Sequence, residues 1–503
     1  MTTPGLSPWT WTRHVPGADG YHHPSTEQEL VESVRLAARR QRRLRVRGSA
    51  HSIPAAIRSY GGVDVLLDRY GRVRFDDAKM QVTVEAGCHL GLDPRDPTGM
   101  STFDRSLVAQ LDRRGWALPD LGGVSHQTVA GFLSTGSSGG TTRHPIEAAL
   151  VSVRWIDGRG RVREARRGEE VFDAIGCSLG LLGVISTVTL QCIPRYELVG
   201  REDITTERGC SYDLYGDGGL DGFLRATDYA RLMWWPQRGV EGVITWQARR
   251  ESALREGRAK PYCVVGDVSS SPTVTRVVSL AAQLGGGLFY DAVSTATHAA
   301  RSLARSVPAT KRFLRGARAL YERRVLAPAL QGMLASAHGR PQHFWGPWHE
   351  VLPMDNQMSE RALPTTFTEI FVPLDRAGEV LRCLRRHFDE RGYAATGPYI
   401  FELYAAARSS LWIHPSYGRD SLRVDVFWFG RNRSDPRAFF GQFWELLKPF
   451  GYRLHWGKYL PRGGAEYLRR QLPRWDDFLA LRREMDPGGV FLTPYFREAL
   501  GIT

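Results

Sequence analysis

Two periods of apolar residues alternate along the first 190 positions, one helical and one extended. Leu30, Val31, Val34, Ala37 and Ala38 fall on one helical stripe. Ser25 and Thr26, with Gln28 and Glu29 three residues on, open it as overlapping capping boxes. The alternating run 44–46 then reads as a strand that stops at Arg47-Gly48-Ser49-Ala50-His51-Ser52. Short strands are predicted over 63–67, 73–75 and 82–85. Leu107, Val108 and Leu111 mark a helix stopped by Gly115, and 151–156 and 162–165 form a hairpin about Asp157-Gly158-Arg159-Gly160.

From about Pro194 the texture changes. Met233-Trp234-Trp235-Pro236 and 243–248 read as aromatic strands, and the Arg/Ala-rich stretch 251–340 has helical spacing, as helices packed on a sheet would. Strand 366–372, helix 376–390, strands 399–404 and 422–429, helix 436–449 and strand 452–456 follow. This β-α-β-β-α-β order suggests a ferredoxin-like half sheet. The tail, with Asp486-Pro487-Gly488-Gly489, returns to short helices and turns.

Composition narrows the class. The 503 residues, 42% of them hydrophobic, suffice for two or three domains with their own cores. No apolar run approaches a membrane span, and residues 1–16 lack an apolar h-region, so a cytoplasmic location is expected. Cys88, Cys177, Cys192, Cys210, Cys263 and Cys383 are scattered without metal-ligand spacing, which indicates neither a metal site nor a disulfide framework. The net charge of +14 is spread along the chain among acids, as on a solvated surface, and no nucleic-acid module accompanies it. Arginine replaces lysine almost everywhere: only Lys79, Lys260, Lys311, Lys448 and Lys458 occur. A lysine inside a motif therefore stands out.

Three segments are rich in small residues. The hexamer 47–52 ends a strand at glycine, where backbone N–H groups approach an anion without side-chain obstruction, and it carries His51. Leu118-Pro119-Asp120-Leu121-Gly122-Gly123 leads through Thr128 and Gly131 to Thr135-Gly136-Ser137-Ser138-Gly139, backbone able to lie close to a flat ligand. Gly180 and Gly183 precede the strand through Val184 and Ile185. Each alone is an ordinary turn. Together they suggest one ligand held among three loops.

These segments, with Thr368-Glu369-Ile370-Phe371-Val372-Pro373 and above all His455-Trp456-Gly457-Lys458, resemble the FAD-linked oxidases of the vanillyl-alcohol oxidase type, in their sugar-lactone and alditol oxidase branch. The resemblance implies an α+β fold: a split FAD-binding domain (1–195 and 463–503) and a cap domain (196–462) built on an antiparallel sheet with helices. It implies FAD as cofactor. Arg47, Gly48, Ser49, Ala50 and Ser52 would form the pyrophosphate loop, with His51 attached covalently to the flavin. Pro119, Thr128, Gly131, Thr135, Gly136, Ser137 and Gly139 would cover the ring and pyrophosphate, and Gly183, Val184 and Ile185 the adenosine. The reaction implied is hydride transfer from a carbinol CH–OH to flavin N5, with a base taking the hydroxyl proton and O2 or another acceptor reoxidising the flavin. Lys458 would stabilise the anionic reduced ring or contact a small-molecule substrate, and Ser137, Phe427 and His455 would line the substrate pocket.

Departures from the branch are specific. Ser138 stands where a histidine is usual. Its Glu-x-Arg strand reads Glu402-Leu403-Tyr404 here, and its His-x-Thr reads Asp425-Val426-Phe427. Asp425 is either a general base with a pKa raised by burial or an ion-pair partner of Arg423 or Arg419. Exchange of a cation and a hydroxyl for Tyr404 and Phe427 argues against a small polyol. Three functions remain open: oxidation of a sugar-derived or secondary-metabolite alcohol, a different oxidation on the same scaffold, or a non-catalytic basic flavin-binding protein.

Overall fold

The computed structural model describes residues 20–252, 260, 262–263, 272–306, 320–338, 341–354, 362–431 and 435–502. The chain divides into two units. The first takes the described residues of Thr12–Tyr196, Ala406–Ser421 and Arg453–Thr503; the second takes Glu197–Ala405 and Leu422–Tyr452.

In the first unit helix α1 (Glu27–Arg39) begins as its capping sequence predicts: Thr26 accepts from Glu29 N at 3.2 Å, and the Glu29 carboxylate accepts from Ser25 N at 2.6 Å. Strands β1 (Tyr21–His22), β2 (Leu44–Arg47) and β3 (Val63–Leu66) form a parallel sheet in the order β1-β3-β2. Next come β4 (Val73–Asp76), β5 (Gln81–Glu85), the hairpin β6 (Leu150–Ile156) and β7 (Val162–Arg166), and β8 (Val184–Gln191). They make a five-stranded antiparallel sheet, β4-β5-β8-β6-β7. The short helix α2 (Val129–Ser134) is N-capped by Thr128, whose hydroxyl accepts from Gly131 N.

The second unit is one sheet of long strands, β9 (Glu197–Thr206), β10 (Tyr229–Trp235), β11 (Gly242–Glu251), β12 (Gln342–Pro347), β13 (Thr365–Pro373), β14 (Phe401–Ala406) and β15 (Ser421–Phe429), ordered β12-β9-β11-β10-β14-β15-β13. Helices α3 (Ala377–Arg391) and α4 (Pro436–Leu447) complete the expected β-α-β-β-α order. They cover one face: Trp234 and Phe401 pack on Phe388, Phe401 on Phe443, and Trp444 Nε1 donates to Thr368. Alternation sends Arg231, Glu402, Tyr404, Arg423, Asp425 and Phe427 to the other face, yet all are buried.

The expected cap boundaries shift. Residues 453–462 and 406–421 belong with the first unit. Hydrogen bonds hold them there: Ile53 N donates to Gly457 O, Ala407 N to Thr141 O, and Arg453 to the carbonyls of Pro415 and Tyr417. The predicted last strand shrinks to Arg453–Leu454. Of the Arg/Ala-rich stretch, Pro272–Ser306 and Ala327–His338 are helical; residues 253–259 and 307–319 lie outside the described residues, as do 1–16.

Candidate active site

In the first unit β2 ends in a tight turn where Ala50 adopts φ +57°. A left-handed residue costs an alanine roughly 1 kcal/mol, and it brings consecutive N–H groups to one side of the turn. The three small-residue segments meet around one cavity of about 950 Å³. Its walls include Gly48, Ser49, Ala50, His51 and Ser52, Thr128, Gly131 and Thr135, and Gly183, Val184 and Ile185. Glycine is required at two of these positions. A Cβ on Gly48 would stand 2.4 Å from Thr128 Oγ1, and one on Gly183, at φ +151°, would stand 2.3 Å from the Ile156 carbonyl oxygen.

Arg45 was not among the expected ligands, but it lines the cavity. Its Nη2 donates to Leu179 O at 2.9 Å and its guanidinium lies 4.6 Å from the Phe496 ring centre, while Nε is buried with no acceptor among the described residues. Burial lowers its pKa to about 10, so it stays charged at neutral pH. A large, glycine-walled cavity with a buried cation holding a donor in reserve fits a dinucleotide carrying a diphosphate.

Five of the expected ligands do not line this cavity. Arg47 is buried beside Tyr21, 5.7 Å from that ring, and Pro119 is absent from the cavity wall. The Gly139 amide is committed to Asp120 Oδ2 at 2.8 Å, against which the chain packs so tightly that no side chain fits. Gly136 and Ser137 line a smaller neighbouring cavity of about 380 Å³ with Glu147 and His414. The sequence favoured the arginine next to the glycine; packing put the preceding arginine in the wall.

His51 Nδ1 and His126 Nε2 are 3.0 Å apart, with the rings edge to face. Within the 118–139 run nothing but its residue type distinguished His126. The turn 455–458 reaches the same cavity through Trp456, whose indole lines it and donates to Ile413 O at 2.7 Å. His455 Nδ1 accepts from Gly457 N at 3.0 Å, so the neutral ring carries its proton on Nε2 and donates to Ser137 Oγ, also at 3.0 Å. Lys458 is 3% exposed, which rules out a surface lysine.

The second unit gathers its candidates on the sheet face opposite α3 and α4, where Tyr290 of the helix Pro272–Ser306 packs on Phe429. Glu402 accepts from the Tyr404 hydroxyl at 2.8 Å, and burial pushes its pKa up. Asp425 accepts from Arg423 Nη2 at 3.0 Å; the same nitrogen reaches Glu369 at 3.2 Å. Of the two alternatives for Asp425, the ion pair is formed, with Arg423. Phe427 stacks between Phe367 and Phe429 at 4.9 and 5.2 Å. Strand register places Arg231 of β10 directly opposite Tyr404, so the cation missing from β14 stands one strand away. No spacing rule connects positions 231 and 404.

A sequence profile described as D-arabinono-1,4-lactone oxidase matches residues 188–499, and one described as FAD binding domain matches residues 18–92. The chain is 25% identical to L-gulonolactone oxidase of Bos taurus, over 95% of this chain and 94% of that protein. It is 26% identical to L-gulono-1,4-lactone dehydrogenase of Mycobacterium tuberculosis, over 95% of each. With alditol oxidase of a Streptomyces species it shares 26% identity over 78% of each chain. Among solved structures, cholesterol oxidase from Brevibacterium sterolicum has the same fold, with a TM-score of 0.64, 14% identity, and coverage of 95% and 93%. The cofactor is FAD and the donor group is CH–OH.

Proposed function

Because the chain belongs to the D-arabinono-1,4-lactone oxidase family, we propose that it oxidises a carbinol of a sugar-derived or secondary-metabolite substrate, with O2 as the final acceptor and His51 as a covalent anchor for the cofactor. The observation that carries this reading is the position of the 455–458 turn, which contributes Trp456 to the cavity wall and hydrogen-bonds Ser137 through His455. Bound FAD supplies the hydride acceptor.

The remaining work falls to side chains. Gly48 to Ser52 and Arg45 would hold the diphosphate. His455, fixed by the Gly457 amide as an Nε2 proton donor, orients the Ser137 hydroxyl and is in the wrong tautomer to accept a proton from that side. Lys458 provides a buried positive charge, most valuable where negative charge develops in the transition state. Glu402 is the better proton acceptor of the two carboxylates: burial raises its basicity toward neutrality, whereas Asp425 is held by Arg423.

Anaerobic bleaching of the flavin by alcohols and lactones tests this. Lys458→Met and Glu402→Gln should slow bleaching at least a hundredfold with FAD retained; wild-type rates in both would refute the assignment. Flavin that washes out on acid precipitation would refute the covalent anchor alone.

A further inference from the structure

Arg231 is 5% exposed and sits in the middle of β10, with Trp246 of β11 opposite it on one side and Tyr404 of β14 on the other. Its guanidinium carbon is 4.2 Å from the Trp246 ring centre and 5.1 Å from that of Tyr262. Aromatic rings thus pack against the ion, while its edges remain the hydrogen-bonding positions. Nη1 donates to the Leu352 carbonyl at 3.3 Å. Nε and Nη2 find no acceptor among the described residues. Those two N–H groups form one side of the guanidinium and point in parallel, the fork that matches the two oxygens of a carboxylate. An ion buried with such a fork unfilled is costly, and a ligand that fills it removes the cost.

Neighbouring acids are engaged elsewhere. Glu202 accepts from the Tyr262 hydroxyl at 2.7 Å and from Gln342 at 3.0 Å, Glu402 accepts from Tyr404, and Asp425 and Glu369 share Arg423. The chain's net charge of +14 favours the approach of anions in general.

We propose that Arg231 binds a carboxylate of the substrate through its Nε and Nη2 edge, so that the alcohol oxidised is borne on a hydroxy acid or sugar acid rather than on a neutral alditol or lactone. This rests on the reading that the sheet face of the second unit that carries Glu402 and Asp425 handles the substrate. The cation that β14 lost at Tyr404 would return from β10, in a geometry suited to two oxygens instead of one.

The test compares D-gluconate with D-glucitol and the corresponding lactone, which share a carbon skeleton, as reductants in anaerobic bleaching of the wild-type holoenzyme. The acid should be favoured at least tenfold in bleaching efficiency. In Arg231→Lys, which keeps the charge and loses the fork, and in Arg231→Gln, that ratio should collapse toward one, through weaker apparent binding of the acid. Preference for glucitol or lactone in the wild type would overturn the role of Arg231 while leaving alcohol oxidation intact, as would an unchanged ratio in both variants. Absence of bleaching by all three, with wider panels of sugar acids, alditols and lactones equally inert, would overturn the oxidase reading and this inference with it.

Discussion

Gly48→Ala is the sharpest probe of the cofactor cavity, because its cost is set by one contact. The new methyl would sit 2.4 Å from Thr128 Oγ1 and 3.1 Å from Thr128 Cγ2, roughly 1 Å inside ordinary contact for the closer atom. Relief requires Thr128 to turn away, and that hydroxyl is the N-cap that accepts from Gly131 N. Loss of a threonine cap costs about 1 kcal/mol, and residual overpacking adds about 1–3 kcal/mol. The single variant should therefore lose about 2–4 kcal/mol and release FAD at lower denaturant, since Gly48, Thr128 and Gly131 all line the cavity. Thr128→Ala alone removes the cap, about 1 kcal/mol. It also removes both offending atoms, leaving its Cβ at 3.3 Å. The double variant should then lose only about 1–2 kcal/mol, less than Gly48→Ala alone. Urea unfolding followed by tryptophan and released-flavin fluorescence gives all four corners of the cycle. Additive losses, or a Gly48→Ala protein as stable as the wild type, would refute the assignment of the clash to Thr128.

Other perturbations separate the remaining roles. Asp425→Asn breaks a buried ion pair whose removal typically costs about 3–5 kcal/mol; because Glu369 also holds Arg423, the lower end is expected, with bleaching slowed less than in Glu402→Gln. A hundredfold kinetic loss at unchanged stability would instead make Asp425 the base. His126→Ala should lower the acid-stable fraction of flavin several-fold while total bound FAD persists, because His126 is a hydrogen-bonding neighbour of His51; an unchanged fraction would dismiss any part for it in attachment. Burial raises the Glu147 pKa to about 7 against the pull of its hydrogen bond from Ser409. The folded state then binds this proton more tightly than the unfolded chain, so stability should fall as pH rises from the ordinary carboxylate range to about 7 and level off above it, by at most about 3 kcal/mol. Glu147→Gln should flatten that slope in denaturation series between pH 5 and 8.

What could be read from the sequence was whatever depends on short spacing. The capping residues at 25–29, the hairpin about Asp157 and the strand-helix order after 365 are local patterns, and the structure reproduces them within a few residues. The small-residue loops were legible for the same reason, since steric permission is a property of the residue itself: Gly48 and Gly183 are indispensable where they stand. Contacts set by sheet register were not legible. Arg45 and Arg47 occupy alternate positions of one strand, and packing alone sends the first to the cavity and the second against Tyr21. The loss of arginine at Tyr404 argued against a small polyol when β14 was read by itself, but antiparallel pairing with β10 sets Arg231 beside it across 172 intervening positions. A substitution within a strand motif therefore changes a site only after the neighbouring strands are counted: here the register turns an apparent loss of charge at 404 into a change in its direction and shape.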